Sequence, residues 1–253
     1  MDIETAAELK TAAQDAKETF KTFRRDYLKK YYERVFPFDR VCRWLTYSDI
    51  KDSEGLTGFN TREISYNLQA EENEEFVVRH LCYINWQKFK EDVLSERNIP
   101  LRIDVGAVFD VPPSQIKSLG SLKPPAPQER EYVIDIDMSD YDKIRSCCSG
   151  KKLCQLCWKF MWLAQLVLKD ALNKDFGFNH ILWVFSGRRG IHAWICDERA
   201  RGMRNDVRAA VTQYLDISIS NDNSDELVLP VVRRSLNPND GTFANKFFEY
   251  TMI

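Results

Sequence analysis

Long hydrophobic runs, a large net charge and a signal-peptide pattern are all absent from this sequence. No apolar stretch is long enough to cross a bilayer, so we expect no membrane association. The net charge of −2 and the isoelectric point of about 6.0 argue against a protein that coats nucleic acid through bulk charge. Because no signal peptide is visible, we expect a reducing compartment, in which cysteines stay reduced or bind metal.

A composition of 44% hydrophobic and 29% charged residues is typical of a soluble globular protein, and 253 residues can bury a sizeable core. Helical spacing of the apolar residues covers residues 1–35, 85–98 and 158–175. Strand patterns cover residues 61–68, 76–83, 102–113, 132–138, 182–185 and 193–195. Residues 112–130 are rich in Pro, Ser, Gly and Lys and predict a surface loop.

A pair of acidic residues lies on one of these strands. Residues 132–138 alternate in polarity, and a strand directs every second side chain to the same face. Asp135 and Asp137 therefore share one face, while Ile136 points to the other. Carboxylates at this spacing are typical of polymerase-type sites that hold Mg²⁺ or Mn²⁺ ions. A strand end with solvated acids is the alternative.

Four cysteines follow in the pattern C-C-x5-C-x2-C: Cys147, Cys148, Cys154 and Cys157. The C-x2-C half is a common zinc half-site, and four thiolates can close a tetrahedron around Zn²⁺. Ser149 and Gly150 fit the turn that the adjacent pair of cysteines requires. Because protein ligands would fill every position, we expect a structural zinc ion. Disulfides or buried free thiols are the alternative.

An arginine–glycine turn lies in the segment LWVFSGRRGIHAWIC, residues 182–196. Gly187 and Gly190 provide the backbone freedom of a tight connection between two strands. On or beside this connection are side chains that can bind phosphate or ribose: Ser186, Arg188, Arg189 and His192. A basic solvated turn is the alternative. The further arginines of residues 199–208 are candidates for a phosphate-facing patch, although a helix with a solvated charged face explains them equally well.

These segments together resemble one family closely. YVIDIDMSDYDKIRSCCSG, CQLCWKF and DFGFNHILWVFSGRRGIHAWICDERAR are similar to the small, catalytic subunit of the eukaryotic and archaeal-type DNA primases, in its eukaryotic form. The resemblance implies an α+β primase catalytic fold, in which helices flank a mixed β-sheet that carries the acidic pair on a central strand. It further implies a helical extension over residues 1–26 and a catalytic core over residues 27–253, with a zinc module at about 145–160.

The resemblance also implies roles for individual residues. Glu63, in TREISYNL, matches a catalytic glutamate, and Arg79, in FVVRHLCY, matches a nucleotide-binding arginine. An exposed strand acid and a salt-bridged surface residue are the alternatives for these two positions. Asp135 and Asp137 would be catalytic metal ligands. The implied nucleotide-binding residues are Arg79, Asp135, Ile136, Asp137, Ser186, Gly187, Arg188, Arg189, Gly190, Ile191 and His192.

The activity that the resemblance implies is the synthesis of short RNA primers from NTPs on a single-stranded DNA template. Mg²⁺ or Mn²⁺ would serve catalysis and Zn²⁺ the structure. The implied partners are the large primase subunit and the replicative DNA polymerase, in the nucleus. Family members carry a third metal-binding aspartate further along, for which we find no counterpart, so we expect a chain that is truncated or short. The alternative function is a catalytically incomplete module that binds only nucleotides or partners.

Overall fold

The structure, a computed structural model, describes residues 24–47, 59–69, 74–116, 118 and 125–215. The chain divides into two compact units, Met1–Gln128 and Glu129–Ile253. Of the helix predicted over residues 1–35, residues 24–34 are described and are helical, and we call them α1. No helix in these ranges is long and apolar enough to span a membrane. The division into an extension and a single catalytic core stays a prediction.

The first unit combines helices with an antiparallel sheet. After α1 come α2 (Phe38–Thr46), β1 (Arg62–Gln69), β2 (Glu75–Leu81), α3 (Trp86–Val93) and β3 (Arg102–Phe109). Both β2 and β3 pair antiparallel with β1, so the predicted strand pair is confirmed. A short strand, β4 (Pro127–Glu129), follows β3 at the edge of the sheet. The predicted loop over 112–130 therefore contains a strand and also a 3-10 turn at Pro113–Gln115.

Alternate residues of β1 build the core of the first unit. Ile64, Tyr66 and Leu68 are buried with aromatic residues of the helices. Phe38 of α2 and Phe89 of α3 meet edge to face at 5.1 Å between ring centroids, a favourable aromatic geometry. This core accounts for only part of the aromatic spacing in α1.

Helix α1 buries one side of its aromatic stripe and exposes the other. Tyr32 is 4% exposed and its hydroxyl donates to the carbonyl of Pro100 at 2.9 Å. Tyr27 and Tyr31 are 58% and 45% exposed. The helical spacing of these tyrosines therefore does not by itself place them in the core.

The second unit contains a three-stranded antiparallel sheet and its covering helices. Its elements are β5 (Tyr132–Asp137), α4 (Gln155–Lys174), β6 (Ile181–Phe185), β7 (Gly190–Ile195), α5 (Glu198–Arg201) and α6 (Asn205–Leu215). The strand order is β5-β7-β6, and β7 pairs antiparallel with both neighbours. In the described residues the acidic strand β5 thus lies at the edge of an antiparallel sheet. Within the part of the chain that the structure describes, the sheet is antiparallel and β5 pairs with β7 alone, so the expected mixed sheet with a central acidic strand is not seen there.

One hydrophobic core joins α4 to this sheet. Met161, Ala171 and Leu172 of α4 are 1% exposed or less and share the core with Ala193 and Ile195 of β7. Burying such side chains contributes about 1.5–3 kcal/mol for each of the larger ones. The helix thereby covers one face of the sheet and leaves the face that carries the acidic pair free of this core.

Gly190 allows β7 to approach β5 closely. A Cβ atom at this position would overlap the carbonyl oxygen of Ile136 on the neighbouring strand. The glycine is therefore required by the close approach, and it opposes Asp137 in the strand register.

We expect Gly190→Ala to destabilise the second unit by about 1–3 kcal/mol, because the methyl group must push the backbone of β5 away. Urea unfolding followed by circular dichroism measures this effect. Gly202→Ala is the matched control, because the nearest atom to its added Cβ would lie at an ordinary 3.6 Å. Equal stability of the two variants would contradict the close-approach argument.

Candidate functional site

The acidic pair lies on the face of β5 that points away from the core. Ile136 and Met138 are 7% and 0% exposed, whereas the Asp135 side chain is 72% exposed and the Asp137 side chain 36%. The alternation predicted from the sequence is thus what the strand shows. Both carboxylates can be reached from solvent, as a metal or nucleotide ligand requires.

Asp135 faces a histidine across the strands. It is the direct register partner of His192 on β7, and His192 Nε2 lies 3.2 Å from Asp135 Oδ1. The sequence had suggested that His192 lies on or beside the connection, but β7 begins at Gly190, so His192 is a strand residue. The antiparallel register, and not a loop, brings the histidine to the carboxylate.

Asp137 is held by an arginine and a serine. Arg189 Nε lies 2.6 Å from Oδ1 and 2.9 Å from Oδ2 of Asp137. The backbone N–H and the hydroxyl of Ser139 each donate to Oδ1 at 2.8 Å. Burial acts to raise the pKa of Asp137, but the Ser139 and Arg189 hydrogen bonds outweigh it and lower the pKa to about 2. The carboxylate is therefore ionised and preorganised at neutral pH.

The connection between β6 and β7 is a short loop that carries an exposed arginine. Gly187 has a φ of 84°, a conformation that favours glycine, and the Ser186 hydroxyl accepts from the N–H of Gly190 at 3.0 Å. Arg188 is exposed, and within the described residues it makes no hydrogen bond or ion pair. The loop thus carries a cation that is available to an anion beside the two carboxylates.

The other predicted nucleotide-binding residues of this segment are buried or glycine. The side chains of Ile136 and Ile191 are 7% and 9% exposed and belong to the core. Their backbones are register partners in the β5–β7 ladder. Gly190 has no side chain, and its N–H and carbonyl are both bonded to Ser186, so these three residues shape the strand end and expose no side chain to a ligand.

The arginines of residues 199–208 mostly bind their own fold. Arg201 Nε lies 2.9 Å from a Glu129 carboxylate oxygen, and Arg208 donates to backbone carbonyls that include that of Glu131 at 3.0 Å. Arg204 pairs with Asp206 on the surface. These partners favour a role in stabilising the fold over the phosphate-facing patch that the sequence suggested as one alternative.

In the first unit, Glu63 lies between two irregularities of the sheet. One bulge on β2 places Arg79 and His80 opposite the backbone between Ile64 and Tyr66. A second, on β3, lies between the pairs Arg62–Val108 and Ile64–Val105. Bulges redirect side chains and occur often beside active sites.

The bulge on β2 turns His80 toward Glu63. His80 has a φ of 65°, and its Nδ1 lies 3.1 Å from Glu63 Oε1, although the angle does not make a good hydrogen bond. A Cβ on Gly106 would come within 2.7 Å of Glu63 Oε2, so this glycine makes room for the carboxylate. Arg79 is exposed in the same bulge. A function for Glu63 and Arg79 stays a prediction.

The four cysteines converge at the start of α4. Their sulfur atoms all lie within 4.8 Å of one another, and Cys154 and Cys157 Sγ are 3.8 Å apart. With Zn–S bonds of about 2.3 Å, the edge of a tetrahedron is roughly 3.8 Å, so the set fits a tetrahedral metal. All seven cysteines of the chain are free, so the disulfide alternative has no support in the structure.

The first turn of α4 stabilises thiolates. Cys154 is the N-cap residue, and a reciprocal capping box links the side chains of Cys154 and Cys157 to each other's backbone N–H. Hydrogen bonding from the Cys157 N–H, followed by the Cys147 thiol, lowers the pKa of Cys154 to about 6. A helix N-terminus that favours thiolate is well suited to a metal ligand.

Comparisons with known proteins agree on one family. The sequence profile described as DNA primase small subunit matches residues 134–249, which include both carboxylates, the cysteines and the β6–β7 loop. The chain is 46% identical over 193 residues to the DNA primase small subunit of Drosophila melanogaster, covering 76% of this chain and 41% of that protein. The chain belongs to the DNA primase small subunit family. The Schizosaccharomyces pombe family member is 36% identical over 209 residues, 83% of this chain and 44% of that protein.

A third family member, from Caenorhabditis elegans, is 33% identical over 229 residues, covering 87% of this chain and 53% of that protein. The chain thus spans about half the length of the curated primase subunits that it matches. Similarity over most of this chain includes both of its compact units.

Three residues near these sites were not identified from the sequence: His80, Ser139 and Arg145. His80 adjoins Arg79, but only the bulge shows that it faces Glu63. Ser139 follows Asp137 closely, and an Asp-x-Ser spacing at a strand end is a recognisable capping signal. Arg145 precedes the cysteines and has no pattern that marks it as buried.

We expect this primase-family chain to contain one zinc ion per molecule by elemental analysis. Cys154→Ser should lose the zinc and lower the unfolding temperature of the second unit, because the four-thiolate site closes the chain before α4. Cys82→Ser is the control, since Cys82 lies outside the cluster and should leave the zinc content unchanged. A fully folded wild-type protein without metal would contradict the assignment.

Proposed function

We propose that this chain performs template-directed nucleotidyl transfer, the joining of NTPs into short RNA primers on single-stranded DNA. The observation that best supports this is the cross-strand arrangement at one end of the β5–β7 pair. Two solvent-accessible carboxylates lie there beside Arg189 and His192, and the exposed Arg188 lies on the adjoining loop. Carboxylates for divalent cations next to cations for phosphate are what this chemistry requires.

The charge pattern of this site suits a nucleotide that arrives with metal. In the free protein each carboxylate has a cationic or titratable partner, Arg189 for Asp137 and His192 for Asp135. A metal–triphosphate complex brings positive charge for the two carboxylates and negative charge for their basic partners at the same time. The carboxylates would take the metal, and Arg189 and His192 would turn to phosphate oxygens. Partners are exchanged and no charge is left unpaired, which keeps the desolvation penalty low.

Mg²⁺ or Mn²⁺ ions held by Asp135 and Asp137 would activate the attacking ribose hydroxyl and offset charge on the leaving pyrophosphate. Arg188 and Arg189 would bind the triphosphate, with Ser186 assisting from the loop. Glu63 and Arg79 are proposed as further catalytic and nucleotide-binding residues. Their support is the family membership together with the bulged sheet around Glu63.

The proposed partners follow from the family. A DNA primase small subunit is expected to associate with the large primase subunit and with the polymerase that extends the primers, in the nucleus of a eukaryote. Contacts to the template would be directed mainly at its backbone, because a primase must accept many sequences.

Primer synthesis is the direct test of the proposed activity. The chain should convert labelled NTPs into short RNA on a single-stranded DNA template with Mn²⁺. The Asp135→Asn/Asp137→Asn variant should form no product, because amides are poor ligands for two divalent ions. If the variant formed as much RNA product as the wild-type chain, Asp135 and Asp137 would be excluded as the metal ligands.

A second candidate function is a module that binds nucleotides or partners without catalysis. It is favoured by the cationic and imidazole side chains of Arg189 and His192 beside the acidic pair, since these can bind a nucleotide whether or not catalysis follows. Metal-dependent NTP binding without primer product would support this function and leave the site assignment intact.

We expect Arg188→Ala to weaken NTP binding in the presence of Mn²⁺ by roughly tenfold, or about 1.4 kcal/mol, in isothermal titration calorimetry. The guanidinium is exposed and has no partner among the residues that the structure describes, so it can contact phosphate. Arg204→Ala is the matched control, because Arg204 is an exposed arginine already paired with Asp206. Equally small effects of the two substitutions would support the alternative interpretation, in which the loop is a basic solvated turn.

A further inference from the structure

A buried arginine lies directly beside the cysteine cluster. The side chain of Arg145 is fully buried, with 0% relative exposure. One of its terminal nitrogens, Nη1, points to Cys157 Sγ at 3.8 Å and donates to the carbonyl of Lys152 at 3.0 Å. The other, Nη2, donates to the carbonyl of Gly150 at 2.9 Å. The guanidinium therefore connects the loop between the cysteine pairs to the first turn of α4.

Asp142 orients this arginine from the other side. Arg145 Nε donates to Asp142 Oδ1 at 2.6 Å, and Asp142 Oδ2 accepts from the N–H of Gly150 at 2.9 Å. The carboxylate is 34% exposed. The pair thus has a partly solvated negative end and a buried positive end, and the positive end faces the sulfur atom of Cys157.

The charge of the metal centre explains why a cation is needed there. Four thiolates around one Zn²⁺ carry a net charge of −2, and a buried charge is unfavourable unless it is paired or hydrogen-bonded. An arginine side chain stays protonated in proteins and offers several donors in a fixed plane. Arg145 can thus remain a cation beside the thiolates under all ordinary conditions.

We propose that Arg145, oriented by Asp142, is a positioning residue of the zinc centre that stabilises the metal-bound thiolate of Cys157. The proposal rests on the assignment of the cysteines as zinc ligands and is independent of the nucleotidyl-transfer activity. Removal of a group that contacts a metal ligand commonly lowers the affinity for the metal by about 10-fold to 100-fold.

A simpler role for Arg145 is to hold the loop together regardless of metal. The two roles differ in one respect. A residue that only holds the loop together stabilises the zinc-loaded and zinc-free proteins equally. A residue that acts on the thiolates stabilises the zinc-loaded protein more. The coupling between arginine and zinc can therefore be measured by a thermodynamic cycle.

The test compares the full chain with Arg145→Met, which keeps the length of the side chain and removes its charge and donors. Zinc affinity is measured by competition with a chromogenic chelator, and stability is measured with and without zinc. We expect at least a tenfold loss of zinc affinity, and a larger loss of stability in the loaded form. Arg204→Met, which breaks an exposed arginine–aspartate pair, should change neither. Wild-type zinc affinity in Arg145→Met would overturn the proposal.

Arg145→Lys provides a second variant if the methionine variant does not fold. Lysine keeps the charge but lacks the planar set of donors. In the cobalt-substituted protein we expect the thiolate-to-metal charge-transfer band to shift, because the donor at Cys157 is lost, and zinc affinity to fall. An unshifted band with wild-type zinc affinity would equally overturn the proposal. Primer synthesis is not used as a readout, so failure here leaves the proposed function untouched.

Discussion

The antiparallel pairing of β5 with β7 is the constraint on which the candidate site depends. It sets Asp135 opposite His192 and Asp137 opposite Gly190, so that two carboxylates and their basic partners share one strand end. Gly190 is needed because any side chain would overlap the Ile136 carbonyl. A shift of one residue in this register would exchange the core and solvent faces of β5. The hydrophobic core under the sheet therefore also determines which side chains meet above it.

Opposite charges hold the candidate site together. The Arg189–Asp137 contact and the hydrogen bonds of Ser139 keep Asp137 ionised, which is the state that a metal requires. The same contact holds Arg189 beside the acidic pair, where the proposed function places a phosphate. An ion pair of this kind preorganises both partners before the ligand arrives, although its own contribution to stability is modest because it is partly exposed.

Sequence patterns predicted the features that depend on neighbours along the chain. The alternation around Asp135, the spacing of the four cysteines and the turn near Gly187 were all recognisable in this way. Features that depend on pairing between distant segments were not. The edge position of β5, the strand position of His192 and the approach of His80 to Glu63 each follow from register or from a bulge. Periodicity assigns a face to a side chain but does not identify what lies across from it.

The cysteine cluster and the β6–β7 loop are connected through the first turns of α4. Trp158 follows Cys157 and meets Phe185 at 5.6 Å between ring centroids, immediately before the loop that carries Arg188. Phe160 meets Tyr141 at 5.5 Å, in the 3-10 turn that follows Asp137. A metal that fixes the start of α4 would therefore steady both the acidic strand end and the arginine loop. Under the proposed function, a structural ion would thereby influence the chemistry without contacting the nucleotide.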